Sequence, residues 1–211
     1  WLAVEGSGVE SDVHTVETPW PVIELVARPA TDQAGILHVP IWVPAPKGGA
    51  GELRVLSVGK RGAVSFRRAA LFSKRPKSIA ATVDDGGAVN LLVTTETSVD
   101  LFSLRSLAGS SDLPLPGRRL HDAPAGQELV DARFGLLSAS EGHNGGLATL
   151  VTTRTAAGME SQWVGLRGTS IRTLPPVALP AGSKLAEILP GDVDSVGYLI
   201  KTGSRTAIYT E

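Results

Sequence analysis

Leu91-Leu92-Val93-Thr94-Thr95 and Thr149-Leu150-Val151-Thr152-Thr153 are the two stretches on which the reading of the fold rests. Each follows a Gly-containing turn, Asp84-Asp85-Gly86-Gly87 in one case and His143-Asn144-Gly145-Gly146 in the other. A short run of apolar and β-branched residues bounded by turn residues reads as a strand. Both runs are apolar at consecutive positions, as a strand must be when the two faces of its sheet are covered. Tyr198-Leu199-Ile200-Lys201-Thr202, after a turn from Asp192 to Val196, is a looser copy.

Similar runs flank these three and divide the chain into units. The first unit holds Val22 to Val26, Ile36 to Val43, Leu53 to Val58 and Ala63 to Arg67. The second holds Ser78 to Val83, Val89 to Thr95, Val99 to Leu104 and a weak run from Leu113 to Leu120. Pro114 and Pro116 restrict that last run to a sheet edge, because proline has no amide hydrogen for a ladder. The third unit holds Leu129 to Phe134, Leu147 to Thr153, Gln162 to Leu166 and Ser170 to Leu174. The fourth holds Leu185 to Leu189, Gly197 to Thr202 and Thr206 to Tyr209, and lacks a last strand. Helical periodicity is scarce, and 24 Gly with 14 Pro interrupt nearly every candidate helix.

The unit openings lie roughly 50 to 56 residues apart, near the length of the longer propeller blades. The expected fold is therefore all-β: a β-propeller-like array of about four antiparallel blades, whose faces stack because one blade cannot bury both of its own. About three and a half units are few for a closed ring, so an incomplete ring is expected, with a β-sandwich as the alternative. The expected organisation is an N-terminal segment, 1–20, followed by a repeat domain, 21–211, with units 21–76, 77–127, 128–183 and 184–211. Trp1-Leu2-Ala3-Val4 is a candidate for the strand that completes the last blade; other sequence, from the same precursor or from another chain, is the second candidate.

Composition narrows the chemistry. Hydrophobic residues at 42% and charged residues at 19% describe a chain that folds. Twenty basic residues against 21 acidic ones leave a net charge of −1, which gives no footprint for a polyanion, so nucleic acid is not an expected partner. The densest basic stretch, Arg67, Arg68, Lys74, Arg75 and Lys77 around Phe72, reads as the solvated face of an outer strand and its turn. The absence of cysteine excludes disulfides, thiolate zinc sites and a Cys nucleophile. No apolar run approaches the ~20 residues of a membrane-spanning helix. A chain opening on Trp1 instead of Met favours an extracytoplasmic or secreted location.

The acidic, Gly-containing turn followed by a strand of the Leu-Leu-Val-Thr-Thr kind and a further alternating strand resembles the FG-GAP or integrin-alpha-like propeller repeats. The resemblance covers Ser78 to Leu104 and Leu185 to Tyr209 best. It implies a propeller fold, and it implies calcium in turns that carry aspartates at alternate positions. Asp192 and Asp194, in Gly191-Asp192-Val193-Asp194-Ser195, keep that spacing and are the candidate metal ligands. A calcium ion takes six to eight oxygens, more than this loop supplies, so an Asx turn is the competing reading and no cofactor is required.

No catalytic constellation stands out. His14, His38, His121 and His143 fall in different units and in no metal-ligand spacing. His38, beside Val39 in an apolar strand, reads as a buried, hydrogen-bonded core residue. Gly6-Ser7-Gly8 is not a nucleophile elbow, and Gly48-Gly49 and Gly86-Gly87 lack phosphate-loop spacing. Trp20, Trp42 and Trp163 are the candidates for an aromatic face, with core packing as the competing reading for two of them. The expected function is a non-catalytic protein-binding or scaffold module in a larger assembly, partnered by another protein chain or by further sequence of the same precursor. A carbohydrate-binding or carbohydrate-processing propeller and a β-sandwich shell protein are the alternatives.

Overall fold

The computed structural model describes residues 2–4, 14–46, 48–59, 62–104, 113–139 and 145–210. Every regular element among them is a β-strand. β1 (Leu2–Val4) and β2 (His14–Val16) form a two-stranded ribbon. Leu2–Val4 thus pairs with His14–Val16 and does not complete the last unit.

The first large sheet contains β3 (Glu24–Leu25), β4 (Ala30–Thr31), β5 (Leu37–Pro44), β6 (Gly51–Val58) and β7 (Val64–Phe72), in the order β3-β5-β6-β7 with β4 also on β5. The second contains β8 (Ser78–Val83), β9 (Val89–Thr94), β10 (Ser98–Leu104) and β11 (Gly117–Asp122). β12 (Glu128–Leu137), β13 (Gly146–Thr155), β14 (Gly158–Gly165) and β15 (Ser170–Thr173) make the third, and β16 (Lys184–Pro190), β17 (Val196–Thr202) and β18 (Arg205–Thr210) the fourth. Within the last three sheets each strand pairs antiparallel with its sequence neighbours, which short turns allow. The residues expected to form strands at Val22 to Val26 and Leu113 to Leu120 differ in extent. The first shrinks to Glu24–Leu25, and the second begins only at Gly117, past the two prolines.

Alternation along the strands shows how the sheets meet, since successive side chains point to opposite faces. Leu53 and Val55 of β6 share a core with Val89, Leu91 and Val93 of β9. Leu92, the intervening residue of β9, joins Leu129 of β12 and Val151 of β13. Leu150 of β13 in turn joins Tyr198 and Ile200 of β17. Each sheet therefore lies face to face on the next, and the second strands of the first three long meanders, β5, β9 and β13, are buried on both faces over most of their length. The first face of the array, Val39, Ile41, Val43 and Leu56, is covered by Val16, with Trp20, Ile23 and Phe66 packed against it. No helix among the described residues is long and apolar enough to cross a membrane.

Side chains tie the layers at their rims. Gln33 donates to the Asp85 carbonyl between the first and second sheets. Lys77 donates to Glu128 at 2.9 Å and to the Leu129 carbonyl at 2.8 Å, and Ser78 donates to Asp131, between the second and third. Between the third and fourth, Ser161 meets the Tyr198 hydroxyl at 2.7 Å, and the Trp163 indole donates to the Asp192 carbonyl at 3.1 Å.

Candidate functional site

Among the described residues, a catalytic-looking constellation stands in the first sheet. The turn Asp32-Gln33-Ala34-Gly35 closes with Gly35 at φ 77°, a conformation glycine adopts without a Cβ clash. Asp32 Oδ1 accepts the amides of Ala34 and Ile36, both at 2.9 Å. Its Oδ2 lies 3.1 Å from His38 Nε2, and His38 Nδ1 lies 3.0 Å from Ser57 Oγ on the paired strand. An ionised carboxylate only accepts, so Nε2 carries the hydrogen, and a ring protonated at Nε2 alone has an Nδ1 that can accept from the serine hydroxyl. Burial alone would raise the Asp32 carboxyl, but the Ile36 amide, the His38 ring and the Ala34 amide together hold it below its ordinary value.

An acid, a histidine and a serine in series would suit nucleophilic catalysis, yet this set is closed. His38 is 0% and Ser57 4% exposed, so a substrate carbonyl has no approach to the hydroxyl. The second sheet makes the same set of bonds with asparagine in place of histidine. Asp84 Oδ1 accepts the amides of Gly86 and Ala88, and its Oδ2 accepts from Asn90 Nδ2 at 3.1 Å. Ser103, again on the paired strand, donates to Asn90 Oδ1 at 2.6 Å. Asparagine is no general base. What histidine and asparagine share is the capacity to accept from a serine and donate to a carboxylate, which latches the turn to the next two strands.

The candidate metal ligands Asp192 and Asp194 have other partners. Asp192 Oδ1 accepts the Val193 amide at 2.8 Å and the Ser138 amide at 3.4 Å. Asp194 Oδ1 pairs with Arg172 Nε at 3.1 Å, across from the third sheet. Among the described residues no group of three or more His, Cys, Asp or Glu side chains converges as a metal site would. The third-unit turn at Glu141 to Asn144, with His143, lies outside the described residues, as do Trp1, Gly6, Ser7 and Gly8.

Four of the five cations of the basic stretch face carboxylates. Arg68 faces Glu52, Lys74 faces Glu96, Arg75 faces Glu24 and Lys77 faces Glu128. The tryptophans do not share a face: Trp42 and Trp163 are 2% and 0% exposed in different cores. Of the three described tryptophans, Trp20 is the partly open one. It borders an apolar cavity of about 550 Å³ with Pro21, Val43, Pro44 and Pro46, and the Arg54 guanidinium covers its ring at 4.5 Å.

The surface that sequence reasoning left unassigned is the end of the array. On the fourth sheet Tyr198 and Ile200 face inward, so Gly197, Leu199 and Lys201 of β17 and Thr206, Ile208 and Thr210 of β18 face away from the third sheet. Leu199 and Ile208 are cross-strand partners there, and Ile208 is 60% exposed. Among the described residues no buried hydrophobic cluster forms on that face. The incomplete fourth unit was the sequence signal for it. No protein-family model matches the chain, and no curated protein matches it.

Proposed function

We propose that this chain is a non-catalytic protein-binding or scaffold module, built as consecutive blades of a β-propeller-like array, which engages a protein partner through its fourth sheet. The observation that carries the reading is the contrast between sheet faces. In the first three sheets buried clusters cover the faces and exposed hydrophobics such as Leu71 and Leu136 stand singly near strand ends, whereas no buried cluster covers the outer face of the fourth, where Leu199 and the exposed Ile208 are cross-strand partners. An apolar surface on an otherwise well-covered β framework is the usual mark of a contact surface. The closed Asp32-His38-Ser57 set supports a structural role for the residues that most resemble catalytic ones.

The test is site-specific photo-crosslinking in cells that produce the protein. The photoreactive residue replaces Ile208 in one variant and Leu136, 77% exposed on the third sheet, in a control. A discrete adduct at position 208 and not at 136, identified by mass spectrometry and reproduced with purified components, is the expected result. No adduct at 208, or the same adducts at both positions, overturns the reading.

A further inference from the structure

The open edge of the fourth sheet identifies a partner for that surface; this step rests on the protein-binding reading above. Exposed strand edges invite pairing with other chains, and folded proteins blunt them with bulges, proline, charge, short length or a covering element. The other sheet edges show such devices. β3 and β4 are two residues each. β7, β11, β12, β15 and β16 each belong to a pairing whose register shifts. β8 has a regular register but is packed against β4 and β12. β18, Arg205-Thr206-Ala207-Ile208-Tyr209-Thr210, pairs with β17 over six residues without a shift, contains no proline, and has one charged residue.

The hairpin specifies which backbone groups are free. Gly203 and Ser204 form a two-residue turn, so Thr202 and Arg205 exchange hydrogen bonds, and the bonded pairs alternate from there. Arg205, Ala207 and Tyr209 thus bond to β17, while the amides and carbonyls of Thr206, Ile208 and Thr210 point to the open edge. An antiparallel copy of the same strand, related by a two-fold axis through Ile208, meets these groups in register. Thr206 of each copy then pairs with Thr210 of the other, and Ile208 pairs with its own counterpart. The axis runs perpendicular to the sheet, so the inward faces stay on one side: Ala207 lies beside Tyr209, and Ile208 beside Ile208 on the outer face. β-branched pairs of this kind favour strand association. No two arginines come opposite one another in this register. Self-complementary pairing of one strand is what an isologous two-fold interface requires.

We propose that two copies of this chain associate through β18, joining their fourth sheets into one continuous six-stranded sheet. The test is sedimentation equilibrium of the purified protein and of Ile208→Pro and Ile208→Lys, from about 1 μM to about 1 mM, a range that spans weak to moderate affinities. Proline removes the central outward amide while sparing the bonds to β17, and lysine is a charge of the kind that blunts natural edges. The expected result is twice the 21.9 kDa chain mass for the parent and a dissociation constant raised about tenfold or more in both variants, with urea midpoints that match the parent's when all are measured dilute enough to be monomeric. A parent that stays at the chain mass, or a dimer that both variants keep, overturns the proposal. A monomeric parent together with a position-208 adduct of another protein overturns self-pairing alone; absence of any adduct overturns the protein-binding reading as well.

Discussion

Replacing His38 separates a structural latch from a catalytic histidine, because the second sheet supplies the control substitution. In His38→Ala the Ser57 hydroxyl, in a residue 4% exposed, loses its partner, and a buried polar group left unpaired costs about 1–3 kcal/mol. Asp32 is less affected, since its Oδ1 keeps the Ala34 and Ile36 amides and its side chain is 14% exposed to water. Removing a ring that is 0% exposed also leaves a cavity, which brings the expected total to roughly 2–4 kcal/mol. His38→Asn should cost about 1 kcal/mol, because its carboxamide can accept from Ser57 and donate to Asp32 as Asn90 does with Ser103 and Asp84. Urea unfolding followed by far-UV circular dichroism measures both, and equal slopes for parent and variants validate the comparison. An asparagine variant as damaged as the alanine variant would refute the latch argument, as would an alanine variant within about 0.5 kcal/mol of the parent.

Acid unfolding should depend on Asp32. Its folded carboxyl sits below the ordinary value of 3.8, so its contribution is complete above that value and is lost as pH falls through the lower folded one. Asp32→Asn should flatten that part of the stability profile, measured by urea midpoints between pH 2 and 5. Tyr198→Phe should destabilise the protein by about 1 kcal/mol, because the buried Tyr198 hydroxyl bonds Ser161, itself bonded to Thr152 at 2.7 Å; a thermal midpoint unchanged from the parent would show that this chain contributes nothing. Gly158 has φ 135°, and a Cβ there would run into the Val177 carbonyl, the partner of the Met159 amide. Gly158→Ala should therefore destabilise by about 2 kcal/mol or more, lowering the thermal midpoint by several degrees.

The division between what sequence and structure each decide follows the range of the interactions. Strand positions were legible because they depend on near neighbours: the doubly apolar Leu91 to Val93 needs two covered faces, and Pro114 and Pro116 delay β11 to Gly117 because proline cannot donate. The burial of His38 was readable from its apolar neighbours in the same way. Its partners were not, because Ser57 lies 19 residues away and is brought opposite by strand register. The same holds for the aspartates of the fourth-unit turn. Their spacing suggested a cation, but the folded chain brings Arg172 to Asp194 and the Ser138 amide to Asp192, and no short motif encodes an approach across two sheets. Sequence alone therefore determined an all-β chain with double-faced central strands. Only the tertiary structure decided which faces meet, which charges are already paired, and that Ile208 stands uncovered on a regular edge, because each depends on residues that are distant in the chain and adjacent only after the sheets have stacked.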